Sequence, residues 1–102
     1  MKCGVYKILN NQNNKFYIGS SKNLSKRWTQ HKSDLKNKTH INIILQRSWN
    51  KYGEDSFSFE IVEECHQDIL LNREQHYIDT LKPEFNIGKK TYGGDTPKQI
   101  TK

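Results

Sequence analysis

A glutamate in the middle of an otherwise apolar helical stripe is the most informative feature of this sequence. Glu74 falls between Leu70 and the pair Tyr77–Ile78, at spacings that share one helix face. A carboxylate on a core-facing position is costly unless a cation neutralises it. Glu74 therefore calls for a bound metal ion or a salt bridge, for which Arg27 is a candidate partner. Arg27 and His31 stand four residues apart, so on a helix they are surface neighbours. Two tyrosines, Tyr6 and Tyr17, each sit inside a short run of strand-forming residues. Taken singly, each residue has a plain structural reading: packed tyrosines with hydrogen-bonded hydroxyls, a solvated arginine, a satisfied core histidine, and a glutamate held by arginine with no metal. Gathered at one place they could do charge and proton chemistry.

The elements that must gather them are legible. Gly4 to Leu9 reads as a strand through Val5, Tyr6 and Ile8, and Lys15 to Gly19 as a second strand through Phe16, Tyr17 and Ile18. The Asn-rich stretch from Asn10 to Asn14 makes the turn of a hairpin. If that turn centres on Asn11 and Gln12, Tyr6 lies opposite Tyr17 and both rings share a sheet face. A helix is expected from Leu24 to Lys36, capped by Ser21 or Asn23. Leu24, Trp28 and Leu35 form its apolar face, with His31 inside the stripe and Arg27 at its edge. A second helix fits Ile41 to Tyr52, with Ile41, Leu45, Trp49 and Tyr52 on one face and Gly53 as its stop. Ser56 to Glu63 alternates, placing Phe57, Phe59 and Ile61 on the more apolar side of a third strand. A third helix fits Gln67 to Leu81, ended by Pro83, with Leu70, Tyr77, Ile78 and Leu81 as its stripe. The fold expected is α+β: a small three-stranded antiparallel sheet flanked by three helices, in the order β-β-α-α-β-α. Residues 88–102, with Gly93-Gly94, Pro97 and almost no apolar side chains, read as a basic tail or linker after a domain spanning residues 1–87.

Composition narrows the partner. The chain has 102 residues, enough for one domain. Seventeen Lys and Arg against eleven Asp and Glu give a formal net charge of +6, which favours a polyanion, with nucleic acid first and an anionic membrane surface second. Cys3 and Cys65 form no Cys-x-x-Cys motif and are too few for a disulfide scaffold or structural zinc site. They read as free thiols in a reducing compartment. The N-terminus carries no signal-peptide core, so the expected location is the cytoplasm. The longest purely aliphatic runs, Ile43 to Leu45 and Ile69 to Leu71, are too short for a membrane span.

The ordered set of residues is far more specific than any one of them. Gly4-Val5-Tyr6 is followed, ten residues on, by Tyr17-Ile18-Gly19, then by Arg27 and His31, and later by Glu74 and Asn86. This resembles the GIY-YIG nuclease family, with Val5 for isoleucine as the one departure in the two triplets. The resemblance covers about residues 1–87. It is strongest to the N-terminal catalytic domains of phage and intron-encoded homing endonucleases, through Lys26-Arg27-Trp28, through the Leu-Gln-Arg-Ser-x-Asn-Lys-x-Gly run ending at Gly53, and through Gly93-Gly94-Asp95-Thr96. It implies a metal-dependent DNA endonuclease cutting phosphodiester bonds in double-stranded DNA. It implies Glu74 as ligand of one Mg²⁺ or Mn²⁺ ion, which retains much of its hydration shell, and Arg27 as a fork on phosphate. Tyr6 is implied as general base, His31 as its assistant, Tyr17 as a group positioning water or phosphate, and Asn86 as polar support. A free tyrosine titrates near 10, so Tyr6 needs a neighbouring cation or base. The family keeps most target recognition in a separate module, here expected C-terminal to the domain, and the domain itself is expected to be a monomer.

Two other functions compete with this one. A basic, non-catalytic nucleic-acid-binding module of the same fold would be expected to lack at least one of Glu74, Arg27 and the two tyrosines. An RNA-binding protein of unrelated fold would stack Trp28, Trp49 and Tyr92 on bases, but Trp28 and Trp49 share helical faces with aliphatic residues and look like core.

Overall fold

Strand β1 (Gly4–Asn10) pairs on one side with β2 (Phe16–Ser21) and on the other with β3 (Phe57–Glu64), giving an antiparallel sheet in the order β2-β1-β3. The computed structural model describes residues 2–86. The expected tail, residues 88–102, and the boundary at 87 lie outside them. Helices α1 (Leu24–Lys36), α2 (Ile43–Tyr52) and α3 (Leu70–Leu81) complete the order β-β-α-α-β-α.

The period-2 alternation of β1 explains the layering. Tyr6 and Ile8 face one side and pack with Leu24, Leu35, Leu45, Trp49, Phe57 and Phe85 against α1 and α2. Val5 faces the other side and packs with Ile18 and Ile78 against α3. The sheet is thus covered on both faces.

Helix α1 has the expected bounds. Asn23, rather than Ser21, is its cap, accepting from the Lys26 amide. Helix α2 begins two residues later than expected because Asn42 caps it, accepting from the Ile44 and Leu45 amides. Ile41 consequently lies outside the stripe and is 93% exposed. Strand β3 runs one residue further than its expected end, to Glu64, and its alternation breaks. Tyr6 pairs with Ile61 but Val5 pairs with Glu63, so Val62 is bulged and joins the Val5 cluster, while Ile61 is left exposed. The first turn expected of α3, Gln67–Ile69, is a 3₁₀ turn, and Leu81 is exposed rather than part of the core.

The hairpin register differs from expectation by two residues. Tyr6 pairs with Gly19, and Tyr17 pairs with Ile8. Strand β1 continues to Asn10, and the turn closes through Asn14 in the left-handed region (φ 63°) with Asn14 N–H donating to the Asn10 carbonyl. A shift of two preserves the faces, so both tyrosines still point towards α1.

Each glutamate of the outer strand β3 faces a cation: Glu60 faces Lys7, Glu64 faces Lys2, and Glu63 takes a two-pronged contact from Arg73 plus the Tyr77 hydroxyl. Cys3 and Cys65 are both free, with the Cys65 amide donating to the Cys3 carbonyl. Among the described residues no helix is long and apolar enough to cross a membrane.

Candidate active site

The Tyr6 ring lies flat against Gly19, its cross-strand neighbour. A Cβ at Gly19 would collide with the Tyr6 hydroxyl end and crowd the Tyr17 ring. The glycine of the second triplet is therefore the space that the tyrosine of the first triplet occupies. Gly4 has a similar cause, since a Cβ there would strike the Glu63 backbone at the bulge. Tyr6 stacks on Phe59 with centroids 4.9 Å apart, and its centroid is 6.3 Å from that of Tyr17.

Helix α1 brings His31 and Arg27 to these rings. The His31 Nε2 is 2.6 Å from the Tyr6 hydroxyl, and both side chains are about 1% exposed. The guanidinium of Arg27 is close enough to act on both tyrosines and on Glu74. Glu74 arrives from α3 on the other side of edge strand β2, where its Oε1 accepts a hydrogen bond from the Ser20 hydroxyl. Glu74 is 9% exposed, and no ion pair joins it to Arg27 among the described residues. The salt-bridge alternative is thus not what this fold uses; the carboxylate is buried with a hydroxyl as its protein partner.

Electrostatics follow from this burial. Burial pushes the Tyr6 hydroxyl well above the ordinary tyrosine range and raises that of Tyr17, Tyr6 further by Tyr17 and Tyr17 further by Glu74, while Arg27 pulls both back. Burial opposes the charge of Arg27, but the two tyrosines and Asp34 more than offset it. Burial, then the charge of Arg27 and the neighbouring His40, lower His31 to about 3, so it is neutral at neutral pH. Burial raises Glu74, against the pull of the Ser20 hydroxyl and Arg27. A small open groove of about 190 Å³ lined by Ser21, Asn23, Lys26, Arg27 and Gln30 adjoins the site.

Five of the six expected residues, Tyr6, Tyr17, Arg27, His31 and Glu74, are thereby brought together. Asn86 is placed differently from a free polar group. Its amide accepts from Ile18 N–H at 2.8 Å and donates to the Ile18 carbonyl at 2.9 Å, sealing the β2 edge between Tyr17 and Gly19. Two further residues escaped the sequence reading. Ser20 directly follows the second triplet, and its hydroxyl was not weighed. His40 lies in the α1–α2 loop, where helical periodicity is silent; its Nε2 is 2.7 Å from His31 Nδ1.

Residues 2–92 match the sequence profile of the GIY-YIG catalytic domain. The chain belongs to the GIY-YIG family, as its catalytic domain. It is 42% identical over 98 residues to intron-associated endonuclease 1 of Enterobacteria phage T4, an overlap of 91% of this chain and 40% of that protein. It is 34% identical over 87 residues to the UvrABC system protein C of Rickettsia felis, covering 84% of this chain and 12% of that one. Among solved structures, a mutant of the catalytic domain of intron endonuclease I-TevI superposes with a TM-score of 0.82 at 41% identity, covering 91% of this chain and all of that one. The chain therefore spans well under half the length of the phage protein it matches.

Proposed function

We propose that this domain is a divalent-metal-dependent endodeoxyribonuclease that hydrolyses phosphodiester bonds of double-stranded DNA, of homing-endonuclease type. The observation that carries this reading is the meeting of a buried carboxylate, a charged guanidinium, a buried tyrosine and a half-buried one at the edge of one sheet. In this layout Arg27 binds a phosphate oxygen with two parallel N–H donors, a match of planar fork to oxyanion. Tyr17 holds water or phosphate by its hydroxyl. Tyr6 is the group that exchanges a proton with the attacking water, and Arg27 is the nearby charge that makes its phenolate less costly. Neutral His31 holds the Tyr6 oxygen in place. Asn86 supports the site by fixing the β2 edge rather than by contacting phosphate.

Glu74 fits a hard cation that keeps most of its waters. Its donors are oxygen only, its Oε2 has no protein partner among the described residues, and no cluster of three His, Cys, Asp or Glu suited to zinc occurs among them. Mg²⁺ or Mn²⁺ held by Glu74 would supply Lewis-acid stabilisation of charge on the phosphate and leaving oxygen. One domain is expected to act as a monomer, in the cytoplasm, on one strand at a time.

The deciding experiment is a plasmid-nicking assay on the 102-residue chain with Mg²⁺, with Mn²⁺, and with excess EDTA. Metal-dependent nicking is expected. Undiminished nicking in EDTA refutes the metal assignment, and DNA binding with no nicking under any condition refutes the enzyme.

A further inference from the structure

His40 is joined to the site by a hydrogen-bond chain whose direction is fixed at its far end. The Asn42 backbone N–H lies 3.0 Å from His40 Nδ1. A backbone amide can only donate, so His40 Nδ1 must offer a lone pair, and the single proton of its neutral ring sits on Nε2. That Nε2–H faces His31 Nδ1 at 2.7 Å, which must accept. The neutral His31 ring then carries its own proton on Nε2, directed at the Tyr6 oxygen 2.6 Å away. The opposite polarity would set a His40 Nδ1–H against the Asn42 N–H, two donors in contact.

The far end is also immobilised. The Asn42 side chain caps α2 through the Ile44 and Leu45 amides and donates to the Phe85 carbonyl at 2.6 Å. The His40 backbone N–H donates to Gln46 Oε1 at 3.1 Å, and Gln46 Nε2 donates to the Leu35 carbonyl that ends α1. The two imidazoles stack, with centroids 5.0 Å apart and planes 19° from parallel. Nothing in the packing lets His40 turn its ring over without breaking this set.

We infer that His40 is a positioning residue: held by the Asn42 amide, it fixes His31 as the Nε2–H tautomer, so that the Tyr6 oxygen accepts from His31 and the Tyr6 proton points away from the imidazole. The consequence for catalysis rests on the nuclease reading above; the tautomer does not. His31 is thereby a donor that steadies a Tyr6 phenolate, not the base that takes the Tyr6 proton.

The test is a long-range ¹H–¹⁵N correlation spectrum of the full chain with ¹⁵N-histidine, in metal-free buffer at pH 7, together with nicking kinetics. His31 is expected to show a protonated Nε2 and an unprotonated Nδ1, and a protonated Nδ1 overturns the inference. In His40→Gln, the amide oxygen can accept from Asn42 and the amide nitrogen can donate to His31. The tautomer should persist, with kcat within about threefold of the parent. In His40→Glu, of like size, the carboxylate accepts only. His31 should switch to Nδ1–H and kcat fall at least about tenfold, with KM for DNA within about threefold, on the scale of lost proton-transfer assistance. Equal losses in both variants with an unchanged His31 spectrum would mean that His40 merely packs. If the parent shows the expected tautomer but never nicks DNA, the nuclease reading fails and the tautomer assignment stands.

Discussion

Acidification from pH 7 to pH 4.5 should cost the domain about 2–3 kcal/mol of stability through His31 alone, a figure obtained from proton linkage. Unfolded, His31 binds a proton below its ordinary value of 6.5; folded, it does so only below about 3. Between those values the unfolded chain binds more protons, so stability falls as pH falls, at about 1.4 kcal/mol per pH unit. The physical cause is a ring about 1% exposed, between a guanidinium and a second imidazole, with no carboxylate to compensate a charge. For a domain of this size the loss corresponds to roughly 10–20 °C in Tm. His40, also depressed chiefly by burial, adds in the same direction. Glu74 works against both. Its raised folded value means the folded state binds more protons there, so stability is gained as pH falls through that value towards its ordinary 4.5. The assay is thermal or urea unfolding at constant ionic strength, without metal, for the parent and for His31→Gln. Substitution has its own cost at pH 7, so the slope with pH is compared, not the absolute stability. The variant should lose about 2 kcal/mol less than the parent over this range, as the same linkage requires. Equal slopes for the two proteins would refute the claim that His31 is held neutral by the fold.

Glu74→Gln should leave the fold intact and raise stability in metal-free buffer by removing a buried charge, keep or tighten DNA binding, and slow nicking by about two orders of magnitude or more; full nicking or an unfolded variant refutes the assignment. Arg27→Ala should also abolish nicking but weaken DNA binding, so affinity measured by titration should move in opposite directions for the two variants. Gly19→Ala should cost about 1–3 kcal/mol by overpacking against Tyr6 and depress nicking, and a neutral effect on both in melting and rate assays would mean that the close approach is unimportant. DNA affinity should fall steeply with salt, as expected for phosphate contacts by a chain of net charge +6; a flat dependence in fluorescence anisotropy would exclude the basic excess as the binding surface.

Elements of this fold are legible in the sequence where one local pattern decides the outcome. The bounds of helix α1 were legible because an apolar period follows a polar cap, although Ser21 and Asn23 offered equal caps and only the structure selects Asn23. Glu74 was legible because its stripe has no other polar member. The hairpin register was not, because it depends on how far β1 extends before Asn14 turns left-handed, and five polar residues permit several closures. The bulge at Val62 was hidden for a related reason: Phe57, Phe59 and Ile61 alternate cleanly, and only pairing with Val5 across the sheet reveals the break. His40 was invisible because its importance comes from two contacts, one with His31 and one with the Asn42 amide. The sole signal available was a histidine just ahead of an Asn helix cap. The role of Asn86 shifted for a comparable reason, since its partner is backbone, which no sequence pattern displays.

The three glutamates of β3 give the domain a direction. They lie along β3, the sheet edge opposite β2, and each is matched by a cation, Lys7, Arg73 or Lys2, so that edge carries no basic excess in a basic protein. An approaching polyanion gains less at that neutralised edge than on the side that carries Arg27, so encounters are biased before any specific contact forms. The same row discourages a second copy from adding its own β3 there, because antiparallel pairing of two such edges would bring glutamate against glutamate. Replacing these glutamates with lysine would raise the overall charge while removing the asymmetry that aims it.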